Sequence, residues 1–202
     1  MIDFNKDYIL ENDKIILRPL TVNDYKYLLP FSINEPDIWK FNTFGADGKD
    51  NLKNYIDNAL TSREKQRDYV FIVIDKLQNK VVGSTRFYLI NQQTKTMELG
   101  YTWYGKEYQG TYVNKNSKYL LLELAFERLG YERVAFKANI KNERSIHAMK
   151  NIGCIEEGVL RNFSLDAIGN RIDMIVLSIL KEEWFNFVKF HLQNKINHSL
   201  FS

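Results

Sequence analysis

Between a strand-like run, MELGYTWYG, and a helix-like run, SKYLLLELAFERLG, lies the polar turn YQGTYVNKNSK at residues 108–118. A turn that opens a helix collects unpaired backbone N–H groups and the positive end of the helix dipole. Together they hold a phosphate without needing any particular side chain. This turn carries one glycine, Gly110, followed by Thr111, Tyr112, Val113 and Asn114. It has neither the G-x-x-x-x-G-K-[ST] pattern of a triphosphate loop nor the G-x-G-x-x-G fingerprint of a dinucleotide site. The chemistry on offer is phosphate binding by main-chain amides.

Other reactive residue types are sparse. Asn142 precedes NERSIHAMKNIG and is a preferred helix cap on its own account, with Ser145 three residues later. Cys154 follows a helix-ending Gly153 and precedes Ile155, which reads as a small buried hydrophobe rather than a nucleophile. As the single cysteine it excludes an internal disulfide, which suits a reducing cytoplasm. His147, His191 and His198 stand at no metal-like spacing from Cys, Asp or Glu, so no metal is expected.

The elements that must position these residues follow from pattern. KIILRPL, 14–20, alternates and is β-branched, a strand. Thr21 is the expected N-cap of the next helix, with Asp24 in the place of a capping-box acid, and the helix is expected to stop near Leu29 at Pro30. Residues 34–48 read as a loop, and 49–65 as a helix with Leu52, Ile56, Ala59 and Leu60 on one stripe. Strands are expected at 68–75, 80–90 and 96–105, the first a continuous apolar run typical of a strand covered on both faces. The clearest helix spans 113–129, with Gly130 at its end. A strand at 133–140, the short helix after Asn142, and the strands IEEGVLRNFSL and RIDMIVLSIL follow, the last two joined by DAIGN with its Gly-Asn hairpin signal. A terminal amphipathic helix over 181–192 leaves 193–202 as a loose tail.

The order β-α-α-β-β-β-α-β-α-β-β implies a mixed α/β (α+β) sheet of about seven strands, mostly antiparallel, with helices on both faces. No linker divides the chain, so 1–192 reads as one domain. The 28 basic and 25 acidic residues are interspersed, which is no footprint for nucleic acid. No apolar run approaches the roughly 20 residues that span a bilayer, and Met1 is followed by polar DFNKDY, so neither a membrane span nor a secretory signal is expected.

Taken jointly, five stretches resemble the GNAT superfamily of N-acetyltransferases, and within it the RimJ/RimL-like branch. ILRPLTVNDY is similar to its first strand and helix, VVGSTRF to its third strand, and MELGYTWYGKEYQG to its fourth strand running into the pyrophosphate loop. NERSIHAMKNIGCIEEGVLR is similar to its N-x-x-S helix, and GNRIDMIVLSILKEEW to its closing hairpin and Trp, so the resemblance covers residues 12–190.

The resemblance implies acetyl-CoA as co-substrate and a primary amine as acceptor. The amine is a protein N-terminus or, alternatively, a small polyamine, amino acid or antibiotic; a catalytically inert CoA-binding module is the remaining reading. In the loop Q/R-x-x-G-x-G/A, Gln109 matches the first position, and Tyr112 and Asn114 stand where the two glycines would be. The amides from Gly110 through Thr111, Tyr112 and Val113 to Asn114 are expected to hold the pyrophosphate, with Trp103, Tyr104 and Asn142 along the pantetheine arm. Glu98 is the expected proton acceptor from the amine, directly or through water. Ser145 is the expected partner of the leaving thiolate, because Met149 stands where the family often has a Tyr. Trp39, Phe41 and Phe163 are expected to wall the acceptor site, with Asp37 or Asp166 attracting its cationic group. A cytoplasmic monomer or homodimer is implied.

Overall fold

The computed structural model describes residues 1–41, 45–166 and 169–198. Its centre is an eight-stranded sheet in the order β1-β2-β3-β4-β5-β6-β8-β7. The strands are β1 (Leu10–Glu11), β2 (Ile15–Pro19), β3 (Tyr69–Asp75), β4 (Lys80–Asn91), β5 (Thr96–Tyr104), β6 (Arg133–Asn139), β7 (Ile155–Leu165) and β8 (Arg171–Leu180). Neighbours run antiparallel except β5 and β6, which are parallel because α3 (Tyr112–Glu123) crosses over between them. The expected mixed, mostly antiparallel sheet is thus present, with β1 as one more strand than the pattern showed. Its two residues are too short to carry a period.

The continuous apolar run of β3 lies between two cores. Tyr69, Phe71 and Val73 face a large core shared with α3, while Val70 and Ile72 face a second core with α1 (Tyr25–Asn34) and α2 (Gly48–Glu64). Strand alternation places successive side chains on opposite faces, so a strand covered twice must be apolar throughout.

Two boundaries differ from expectation. Helix α1 passes through Pro30 and ends at Asn34. Pro30 removes one intrahelical donor, but Ser32 in the following turn donates to the carbonyls of Ala46 and Gly48 at 2.5 and 2.9 Å, and Leu28 is fully buried. Tertiary contacts therefore carry the helix past its local stop. At its start the 3-10 turn Val22–Asp24 precedes it, and the buried Asp24 carboxylate accepts from the Thr21 amide and from both Arg18 guanidinium nitrogens. The C-terminal segment is helical well beyond residue 192: α5 (Lys181–Glu183), a wider turn at Trp184–Val188, and α6 (Lys189–His198) follow one another. Gln193 donates to the Tyr119 hydroxyl on α3 at 2.8 Å, and the Lys195 ammonium to the Asn151 carbonyl at 2.7 Å. Those bonds order residues that look like a free tail in sequence; 199–202 lie outside the described residues.

One close approach shapes the middle of the sheet. A Cβ added to Gly83 on β4 would lie 2.3 Å from the Trp103 carbonyl oxygen on β5. Only a residue without a side chain lets the strands meet there. Gly83→Ala should lower unfolding free energy by about 1–3 kcal/mol, read as a reduced urea midpoint, because the added methyl forces the strands apart.

Candidate active site

Strands β5 and β6 pair only at Thr96↔Arg133, Met97↔Val134 and Glu98↔Ala135. Beyond Glu98 they part, and the cause lies on the other edge of β5. From Ser84 to Arg86 on β4, β5 advances from Trp103 back to Gly100, one residue more than its partner. This bulge leaves Tyr101 at φ 48°, in the left-handed region. The buried Arg86 guanidinium supports it, 4.6 Å from the Tyr101 ring and 3.2 Å from Asp68. The bend turns the end of β5 away from β6 and opens a cleft of about 1100 Å³, bounded by the start of α3, α4 (Glu143–Asn151) and the β7–β8 hairpin. Among the described residues, the parallel-side amides and carbonyls of β5 beyond Glu98 have no strand partner.

At the start of α3, Gly110 takes φ 77° in open space, so the tight turn falls on the one glycine. Thr111 is the N-cap, and its hydroxyl accepts from the Val113 amide at 3.3 Å. The Val113 side chain is wholly buried, which fixes the helix start against the core. The Tyr112 ring turns away from the cleft: its hydroxyl donates to Asp75 at 2.8 Å, and the Lys14 ammonium sits 5.0 Å from the ring centre. A bulky residue in the glycine position therefore does not occupy the space in front of the amides. Gln109, Gly110, Thr111, Asn114 and Lys115 line the cleft. Gln109 is a tether: its amide nitrogen donates to the Tyr104 carbonyl at 2.9 Å, and its oxygen accepts from Arg144.

Trp103 and Tyr104 meet the cleft differently from expectation. Trp103 is 4% exposed, packed edge-on against Trp39 with ring centres 4.5 Å apart, and Tyr104 is buried in the other core. What this strand end offers a ligand is mainly backbone. Trp39 is a correction: at 3% exposure it belongs to the core with Tyr55 and Trp103 instead of walling the cleft. Phe41 and Phe163 do line it, both with exposed rings. Asp37 lines it too, paired with Lys106 at 3.3 Å. The Asp166 carboxylate accepts from the Asn170 amide at 2.8 Å in the hairpin turn.

Glu98 stands where the strands divide. One carboxylate oxygen is 2.7 Å from the Lys137 ammonium, and the other is buried beside the Tyr88 phenol. Tyr88 lies opposite in register, and burial followed by the Glu98 charge pushes its phenol far up. The Lys137 ammonium also sits 5.0 Å from the Phe163 ring, which joins Glu98 to the hairpin wall. On α4, the Asn142 side chain accepts from the Ser145 amide at 3.1 Å, so it is the cap, and both residues line the cleft. Met149 is buried beneath them, and Cys154 is buried with its thiol pushed up by desolvation. Among the described residues, no three His, Cys, Asp or Glu side chains group as a metal site.

Sequence reading missed Lys118. It is 5% exposed, lines the cleft from α3, and donates to the Thr102 hydroxyl at 2.8 Å. Burial lowers its ammonium to a pKa of about 7. The available signal was a lysine three residues before Leu121 and four before Leu122, within a helix that is apolar on nearly every side.

Residues 14–155 match the family description "Acetyltransferase (GNAT) domain". YdaF of Bacillus subtilis (strain 168), whose name presents it as a ribosomal N-acetyltransferase, is 29% identical over 176 residues, covering 86% of this chain and 94% of that protein. The uncharacterized N-acetyltransferase p20 of Bacillus licheniformis is 24% identical over 180 residues, 87% and 97% of the two chains. The crystal structure of a GCN5-related N-acetyltransferase from Brucella melitensis shares the fold, with a TM-score of 0.86 at 23% identity over 95% of this chain and 86% of that one.

Two outcomes follow from the geometry. Tyr112→Phe should cost about 1 kcal/mol of stability through the lost bond to Asp75, yet leave calorimetric affinity for CoA within about twofold; a tenfold loss would put the ring in the site. The unfolded chain's lysine titrates near ~10.4 whereas Lys118 titrates at about 7, so between those values the unfolded state binds more protons and stability climbs with rising pH. Lys118→Met should flatten that climb in urea titrations across the same window.

Proposed function

The chain belongs to the GNAT acetyltransferase family, and on that premise we propose that it moves an acetyl group from acetyl-CoA to a primary amine by direct attack in a ternary complex. The observation that carries the reading is the parting of β5 from β6 beyond Glu98, directly beside the open amides of the α3 start. A diphosphate fits those amides from Gly110 to Asn114, which combine free donors with the helix dipole. Lys115, Lys141 and Arg144 border the same region and add countercharge. A pantetheine arm fits the unpartnered β5 edge as an added strand would, through main-chain bonds that need no special side chain. Amides at the bulge supply donors for the oxygen of the reacting carbonyl.

The acceptor enters on the Glu98 side, between Phe41 and Phe163. Amines are protonated near neutral pH, with a lysine-type ammonium at ~10.4 and an α-amine near ~8, and must lose a proton before attack. The Glu98 carboxylate is assigned to receive it, with Lys137 fixing the carboxylate by one oxygen. Ser145 faces the cleft from α4 and is assigned a hydrogen bond toward the sulfur. Asn142 holds the α4 start, and Gln109 holds β5 against it.

Among acceptors, a protein N-terminus of the RimL-like kind is favoured. Phe41 and Phe163 are exposed at the cleft mouth, which admits an extended chain, and the similarity to YdaF points to the ribosome. No helix among the described residues is long and apolar enough to cross a membrane; a cytoplasmic monomer or homodimer suits this activity.

Release of thiol from acetyl-CoA, measured with N-terminal peptides and with small amines, should show turnover with peptides. Absence of turnover with every acceptor would leave only an inert CoA-binding module, and absence of CoA binding would remove that too. Glu98→Gln should reduce kcat on the order of 100-fold and flatten the rise of the rate on the acid side of its optimum. An unchanged profile would take the proton transfer away from Glu98.

A further inference from the structure

The two faces of the parted strands carry different chemistry. Glu98 and Lys137 lie on the side assigned to the acceptor. On the opposite side, toward α3, Lys118 donates to the Thr102 hydroxyl, which lies 2.7 Å from that of Thr85, itself 3.4 Å from the Gly100 carbonyl at the bulge. A lysine held in a nearly dry site with no ion-pair partner among the described residues is expensive to keep. Nothing in the packing requires it, since its neighbour on β6 is the Phe136 ring, 5.7 Å away, and a thioether would fill the same volume.

Resting on the acetyltransferase reading, we propose that Lys118 is the general acid of the reaction, donating its proton to the CoA sulfur as the thioester breaks. Three observations meet here. The ammonium has three donors and Thr102 takes one, leaving two for a ligand in the cleft it lines. Met149, buried on α4 and lining the same cleft, cannot donate a proton. Met149, whose carbonyl accepts from the Cys154 amide at 3.1 Å, lines the cleft together with Lys118, so the ammonium serves the same floor.

In the step itself, the amine lone pair forms the C–N bond to the acetyl carbon, and the C–S bond breaks with its electron pair passing to sulfur. Sulfur takes a proton from the Lys118 ammonium and leaves as the thiol. The neutral lysine recovers a proton from water in the open cleft. The ammonium acceptor loses one proton before attack and one after it, and the sulfur gains one, so one proton is released overall. Thr102, backed by Thr85, positions the amine of Lys118. The groups facing Lys118 are the Thr102 hydroxyl from β5, the Phe136 ring from β6 and the Cys154 thiol from the start of β7. The last stays protonated through the working range because burial pushes it up.

The test compares wild type with Lys118→Met and Thr102→Val, using acetyl-CoA and the best acceptor found. Lys118→Met removes a buried charge and should fold at least as stably as wild type. It should bind CoA within about twofold by calorimetry, lose on the order of 100-fold in kcat with little change in KM, and lose the fall in kcat above neutral pH that an acid of this kind produces. Thr102→Val should keep CoA affinity, lose less in kcat and shift the position of that fall. A Lys118→Met enzyme within threefold of wild-type kcat with the same alkaline limb would overturn the proposal, as would a loss confined to KM. Wild type without turnover on any acceptor would instead remove the acetyltransferase reading on which this rests.

Discussion

The site depends on one irregularity in backbone pairing. A β-bulge at Gly100–Trp103 sends β5 away from β6 after three paired positions, and both the cleft and its unpartnered backbone edge follow from that bend. The bulge is expensive, because Tyr101 sits in a left-handed conformation that a bulky side chain rarely adopts. Its surroundings hold it there. Gly83 lets β4 press against the backbone on one side of it, and Arg86, anchored by Asp68, stacks on the Tyr101 ring. Two fully formed cores clamp the paired ends of the strands, so the strain is concentrated at the cleft.

The architecture was legible where pattern and packing agree. β3 announced its two covered faces through an unbroken apolar run, α3 its start through the turn at Gly110, and the wider turn Leu124–Arg128 that continues α3 its stop at Gly130, whose φ is 71°. What escaped was decided by partners distant in sequence. Pro30 is a local stop signal that Ser32 and Leu28 override from the next turn. Residues 193–198 are polar enough to look free, yet they are ordered by bonds to Tyr119 and Asn151, 74 and 44 positions away.

At the site the same division holds. The polar turn that opens α3 was visible as a strand, a polar turn and a helix. That Tyr112 is compatible with it was not, because the direction of a ring depends on Asp75, 37 residues earlier. Trp39 and Trp103 belong to the core by contact with each other, a pairing no spacing reveals. Lys118 broke the apolar face of its helix, and a lone charge at such a position deserves weight when its helix opens a candidate site.

The C-terminal helix has a consequence for how the cleft keeps its shape. Gln193 fastens it to α3 and Lys195 to the end of α4, the two helices that form opposite rims. It acts as a brace behind both jaws, tying the helices whose separation sets the cleft. Sequence drift in this unassuming segment would be felt as altered gape at the mouth long before it registered as lost structure elsewhere.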